Sequence, residues 1–181
     1  METAVNTATK WGIDPSHSEV TFKVKHLVIS TVTGYFTEYE GSLESTSSDF
    51  DGAKVDFSLD VASVDTNSAD RDAHLKSGDF FDAENHPKLT FTNGVLTKKG
   101  DDYELTGDLT IRETTKTITL AVEYGGTAKD PWGNTKAGFE ISGKISRKDF
   151  GLTWNAALES GGVLVGEDVK LALNIQLLKQ A

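Results

Sequence analysis

Most of this chain alternates apolar and polar residues one by one, and that two-residue period restricts its fold more than any other feature. Successive side chains of a strand point to opposite faces, so each such run has one face to bury and one that meets water. Val20, Phe22 and Val24 alternate with Thr21, Lys23 and Lys25, and Val55, Phe57, Leu59 and Val61 alternate with Asp56, Ser58, Asp60 and Ala62. The period is clearest where Tyr103, Leu105, Gly107, Leu109 and Ile111 lie between Glu104, Thr106, Asp108, Thr110 and Arg112. A turn at Thr114–Lys116 then leads into Ile118, Leu120 and Val122, which predicts a hairpin. Further strands are expected around Leu89 and Phe91, along Phe139–Ile145 and along Val169–Leu177. Within Thr31–Ser45 the apolar positions change phase between Phe36 and Tyr39, predicting a bulge near Thr37–Glu38. About eight antiparallel strands, each apolar on one face, are satisfied by a barrel or a two-sheet sandwich.

Two of these strands repeat one pattern, YELTGDLT at Tyr103–Thr110 and FEISGKIS at Phe139–Ser146, and each sets a glycine on the apolar face. Such a glycine either leaves room for a neighbouring side chain or relieves a bulge. The segment Gly138–Lys144 (GFEISGK) also matches part of a phosphate-binding loop. Ile145 stands where that loop needs Ser or Thr, and the segment alternates as a strand, so nucleotide binding is rejected there.

One block, Asp70–Phe91 (DRDAHLKSGDFFDAENHPKLTF), departs from the alternation and holds two of the four histidines. Ser68 suits an N-cap, Asp70 and Asp72 fall in the first turn, and Gly78 suits a C-terminal stop. These signals predict a helix over Ala69–Ser77, followed by an aromatic turn at Phe80 and Phe81. Too short and polar to stand alone, the helix is expected across one end of the strands as a lid. Asp70, Asp72 and His74 are close enough in sequence to gather on one cation, which leaves a metal-dependent hydrolase or isomerase as an alternative. The competing expectation has Asp70 and Asp72 capping the helix while Arg71 and His74 bond to turn carbonyls. No HExxH, EF-hand, GxGxxG, GxSxG or Ser-Lys pattern occurs, so no catalytic residue, metal ligand set or cofactor is assigned.

Composition narrows the partners. With 28 acidic against 18 basic residues the net charge is −10, which disfavours nucleic acid and adhesion to an anionic membrane surface. There is no cysteine, hence no disulfide or thiolate. Apolar runs are only a few residues long, so no stable membrane insertion is expected. METAVNTATK lacks a basic cluster followed by an apolar run, which points to the cytoplasm, or to the periplasm or secretion if the numbering is that of a processed form. Residues 1–10 read as a flexible N-terminal segment and residues 11–181 as one domain. A free strand edge permits a homodimer, whereas Lys- and Glu-rich outer faces permit a monomer.

From Trp11 to Lys179 the chain resembles the YceI-like family of bacterial proteins. The similarity rests on WGIDPSHSEVTFKVKHLVISTVTGYFTEYEG, on DRDAHLKSGDFFDAENHPKLTFT, on LTGDLTIRETTKTITL, and on SRKDFGLTWN with GGVLVGEDVKLALNIQL. The family's central pattern maps without a break onto Asp70, Arg71, Asp72, His74, Leu75, Asp79–Asp82, His86 and Pro87. The resemblance implies an all-β, antiparallel up-and-down, lipocalin-like barrel. It also implies that the interior binds a polyisoprenoid, an isoprenoid quinone or a fatty amide or acid, with no catalytic activity. Many relatives carry an export signal.

The strand phases nominate a lining of Val20, Phe22, Val24, Phe36, Phe57, Leu59, Phe91, Leu105, Leu109, Leu120, Phe139, Ile141 and Leu173, joined by Trp154. Arg71 and His74 are the candidate head-group contacts. Phases alone leave two readings open: a lumen for a hydrocarbon, serving carriage, storage or sequestration, or a solid-core structural or stress protein. The resemblance favours the lumen. Burying a five-carbon isoprene unit contributes about 4 kcal/mol, and association costs about 4–15 kcal/mol. A useful ligand therefore buries about four units or more.

Overall fold

A computed structural model describes residues 8–27, 29–47, 49–155 and 164–180. It contains strands β1 (Thr9–Ile13), β2 (Glu19–His26), β3 (Ser30–Phe36), β4 (Tyr39–Ser45), β5 (Lys54–Asp60) and β6 (Val64–Asp65), then helix α1 (Ala69–Lys76). Strands β7 (Lys88–Lys99), β8 (Asp102–Ile111), β9 (Thr114–Lys129), β10 (Thr135–Ser146) and β11 (Val165–Lys179) follow. The sheet runs β1-β4-β5-β7-β8-β9-β10-β11 and closes when β11 pairs back onto β1, making an antiparallel eight-stranded barrel.

Three staves of this barrel are bent. β1 and β2 both lie along β11, separated by a turn at Pro15–His17. Pro15 has no N–H for the ladder, and the Asp14 carboxylate accepts bonds from Ser16 N (3.1 Å) and Ser16 Oγ (2.6 Å) while pairing with Lys136 (3.3 Å). The hydrogen bonds from Ser16 and the nearby Lys136 ammonium, against some burial, hold the Asp14 pKa below its usual value. β3 gives way to β4 at Thr37–Glu38, the position of the expected phase change, and β5 to β6 at Val61–Ser63. Among the described residues β3 meets β6 only at Tyr35 and Phe36, so its Ser30–Gly34 edge has no further strand partner.

Three local expectations are corrected. Thr114–Lys116 is not a turn, because these residues pair with Ile111, Thr110 and Leu109; the turn is Arg112–Glu113, with Arg112 at φ 56°. Gly78 does not end the helix: Ser77 is its C-cap, and its hydroxyl donates to His74 O (2.5 Å). β1 begins at Thr9, inside the segment expected to be flexible, because Thr9 and Lys10 pair with Ser45 and Glu44; residues 1–7 lie outside the described residues. The helix start is as expected, with Ser68 Oγ accepting from Arg71 N (3.3 Å). Among the described residues no helix is long and apolar enough to cross a membrane.

One end of the barrel is sealed by rings. The β4–β5 connection folds Phe50 inward against Trp11 (5.5 Å), Tyr124 (5.6 Å) and Phe139 (5.1 Å), and Phe50 N donates to the Tyr103 hydroxyl (3.4 Å). The repeated glycines serve packing: a Cβ on Gly107 would sit 2.5 Å from Phe91 Cζ and 2.9 Å from Gly94 Cα, and one on Gly143 would collide with Leu120 Cδ2. Gly107→Ala should therefore cost about 1–3 kcal/mol by overpacking. Gly138→Ala, with nothing within 4 Å of its Cβ position, should be nearly neutral. Urea unfolding of the two variants checks the contrast, and equal stabilities would remove the packing role.

Candidate functional site: an apolar cavity open toward one end

Between the aromatic seal and α1 lies an apolar cavity of about 520 Å³. Close-packed interiors hold few voids larger than a water, and this volume falls in the range of about 300–1,000 Å³ typical of small-molecule sites. Its position follows from side-chain size. Near the seal the inward residues Trp11, Leu43, Tyr103, Val122, Ile175 and Leu177 are buried. Toward the other end, Val24, Val32, Ile145, Val169 and Leu171 border the cavity and are only half-buried, because small aliphatic side chains there do not reach across the barrel. The barrel is thus solid at one end and hollow at the other, the hollow being bounded by β2, β3, β10 and β11 on one side and by β5 and β7–β9 on the other.

Every nominated lining residue borders this cavity. β2 and β3 contribute Val20, Phe22, Val24 and Phe36; β5 contributes Phe57 and Leu59; β7 and β8 contribute Phe91, Leu105 and Leu109. Leu120 comes from β9, Phe139 and Ile141 from β10, Leu173 from β11, and Trp154 from the connection after β10. Arg71 and His74 stand at the helical end of the same cavity, with Leu75 and Phe80 beside them.

That end is built by α1 and the turn after it. Asp72 Oδ1 accepts from Thr66 N (2.8 Å) and Thr66 Oγ1 (2.6 Å), and Arg71 donates to Thr66 Oγ1 (2.7 Å) and Thr66 O (2.5 Å), fixing the helix to its approach. Arg71 thus bonds a turn carbonyl as expected. His74 does not: its Nε2 meets Asp79 Oδ2 at 2.9 Å, because the chain after Ser77 folds back under the helix. The His74 ring stands edge-on to Trp154 (4.5 Å) and Phe80 (5.0 Å), making an aromatic corner, while Phe81 packs on Phe36 (5.8 Å). Asp70, Asp72 and His74 do not form a metal site, since Asp72 serves Thr66 and His74 serves Asp79; among the described residues no three His, Asp or Glu side chains gather.

Arg147, unforeseen from the sequence, borders the cavity while only 3% exposed. Its guanidinium donates to four carbonyls: Gly166 O (2.8 Å), Leu152 O (2.7 Å), Trp154 O (2.8 Å) and Val165 O (3.2 Å). Burial pulls its pKa down from the usual arginine value, with Glu167 opposing; a guanidinium nevertheless stays charged. Its partners are backbone oxygens brought together by the fold, and only its position in SRKDFGLTWN hinted at a role. Arg147→Met would take its donor from the carbonyls of Leu152, Trp154 and Gly166, Val165 O keeping the bond from Asn155 Nδ2 (2.7 Å), and should cost more than about 3 kcal/mol. Urea unfolding and the near-ultraviolet dichroism of Trp154 check this; a variant as stable as the parent would deny Arg147 its scaffold role.

These features define a class: a closed antiparallel barrel with an apolar interior, sealed at one end and capped at the other by a short helix. The YceI-like domain matches residues 11–177, and the chain belongs to that family. A UPF0312 protein of Staphylococcus epidermidis is 40% identical over 163 residues, covering 90% of this chain and 93% of the relative. The crystal structure of a Campylobacter jejuni YceI protein superposes with a TM-score of 0.69 at 34% identity, covering 88% of this chain and 91% of that one. A polyisoprenoid-binding domain from Saccharophagus degradans shares the fold with a TM-score of 0.66 at 13% identity, covering 94% of this chain and 98% of that one.

Proposed function

We propose that this barrel binds one long amphiphile, a polyisoprenoid, isoprenoid quinone or fatty amide or acid, for carriage, storage or sequestration. The observation that carries this reading is the hollow: inward side chains at one end leave about 520 Å³ bounded almost wholly by hydrocarbon. Such a surface gains from an apolar chain through burial and has few groups for a polar substrate. The tail lies toward the aromatic seal and the polar head at the α1 end, where Arg71 and His74 supply the polar groups. The Saccharophagus degradans domain, described as polyisoprenoid-binding, supports the reading through the shared fold. Binding without catalysis is the reading that the apolar lining favours.

Native mass spectrometry of the purified protein should show a co-purifying hydrophobic mass. Chains of one or two isoprene units should be retained weakly if at all, since about 4–8 kcal/mol leaves little surplus over an association cost of about 4–15 kcal/mol. Phe22→Asp, which sets a charge against the lumen, and Leu171→Trp, which fills the void with apolar bulk, should both fold by circular dichroism and lose the bound mass. Folded variants with unchanged lipid content would end the proposal.

A further inference from the structure

The outer wall on the hollow side carries a charge pattern that lipid binding inside the barrel does not use. Lys144 of β10 stands opposite Lys170 of β11, and Lys170 stands opposite Lys23 of β2, so three exposed lysines form a row across adjacent strands. Like charges directly opposite each other destabilise a sheet. Lys144 has Asp168 at 3.7 Å, but among the described residues Lys23 and Lys170 have no carboxylate at ion-pair distance, in a chain with 28 acidic and 18 basic residues. Lys25 extends the row along β2, its ammonium bonded to Thr31 Oγ1 (3.1 Å).

The row leads to an exposed apolar tip. In the β2–β3 hairpin Leu27 is 36% exposed and Ile29 85% exposed. This tip belongs to the cavity rim: Leu27 N donates to Leu164 O (2.9 Å), and both Leu164 and His26 border the cavity. Apolar side chains flanked by cations fit the boundary of an anionic bilayer, where hydrocarbon enters the head-group layer and ammonium groups meet phosphates. The net charge of −10 opposes approach from a distance, but beyond about 8 Å at physiological salt exposed charges are screened, so the charges on the contacting face decide.

We propose that this face docks the protein on an anionic lipid bilayer, with the Leu27 and Ile29 tip in the head-group layer and Lys23, Lys144 and Lys170 on lipid phosphates. Its use, passing a lipid between bilayer and cavity without crossing water, rests on the binding reading above; the docking itself does not. Co-sedimentation with vesicles of phosphatidylcholine, with and without phosphatidylglycerol, tests it. The protein should bind the anionic vesicles alone, and 0.5 M salt should weaken that binding. Each lysine near the surface contributes about fivefold, so the double variant Lys23→Gln, Lys170→Gln should partition about 25-fold less, and Ile29→Asp should also release the protein. Equal binding to neutral vesicles, no binding to either, or an unchanged double variant would overturn the proposal; the second result would leave the face to an acidic protein partner. Native mass spectrometry of the same variants should show the parent's bound lipid, so failure of docking and failure of lipid binding give different results.

Discussion

The structure depends on the ladder between β11 and the stave made of β1 and β2. Ile13 pairs with Leu177 and Phe22 with Leu171, so one long strand meets both halves of a broken one and joins the sheet's ends. Closure turns an alternating sequence into an inside and an outside, and it removes the long edges that an open sheet of these strands would expose. The broken stave follows the curvature because Pro15 interrupts the ladder where Asp14 and Ser16 close a turn, and Ser18 Oγ then accepts from Gln176 N (2.9 Å) to resume it. Eight strands leave an interior wide enough either to be filled by side chains or to hold one small ligand. In this chain the two ends differ, one filled by side chains and the other hollow. Trp11, Phe50, Tyr124 and Phe139 fill one end, whereas Val24, Val32, Val169 and Leu171 stop short at the other.

A hollow end needs a wall that does not collapse into it, and here the wall is held by polar contacts outside the void. Arg147 ties the chain after β10 to the start of β11 through carbonyls alone, so the connection is held without a second buried charge. Across the opening, Thr66, Arg71 and Asp72 fix α1, and Arg112 Nη1 donates to Phe80 O (3.3 Å), fastening the turn after the helix to the β8–β9 hairpin. His74 and Trp154 meet where these two units touch. The polar residues of the distinctive block therefore shape the rim and leave the interior apolar.

What could be read from the sequence was direction, and what could not was distance. Period-two alternation tells which way Val20, Phe22 or Leu173 points, and each borders the cavity; it says nothing of whether opposing side chains meet, so lumen and solid core stayed equally open on that ground. Ser68 announced its helix because a cap acts within three residues. The turn at Arg112–Glu113 was displaced because Thr114–Lys116 looks like a polar turn yet continues the ladder, and nothing local separates those cases. Phe50 and Arg147 were invisible for a shared reason: both lie where the chain is irregular, and their partners are gathered by the fold, the seal's rings from distant strands and the four backbone oxygens from the connection after β10 and the start of β11.

The same limit governs charge. Net charge is a sum over the chain and describes the field at long range, where an excess of acidic residues repels anions. Contact is decided by register, and register brings together Lys23, Lys144 and Lys170, which no sequence window contains. An antiparallel barrel sets β2 beside β11 and β11 beside β10, so residues from both ends of the chain share one face. Asp168 balances Lys144 from within the fold, whereas like charges at Lys23 and Lys170 oppose the pairing of their strands. The row lies on the wall that is hollow behind, and it ends at the apolar tip on the rim. The cations and the exposed aliphatic residues therefore share one side of the barrel with His26 and Leu164, which border the cavity, and this is the arrangement that the proposed docking requires.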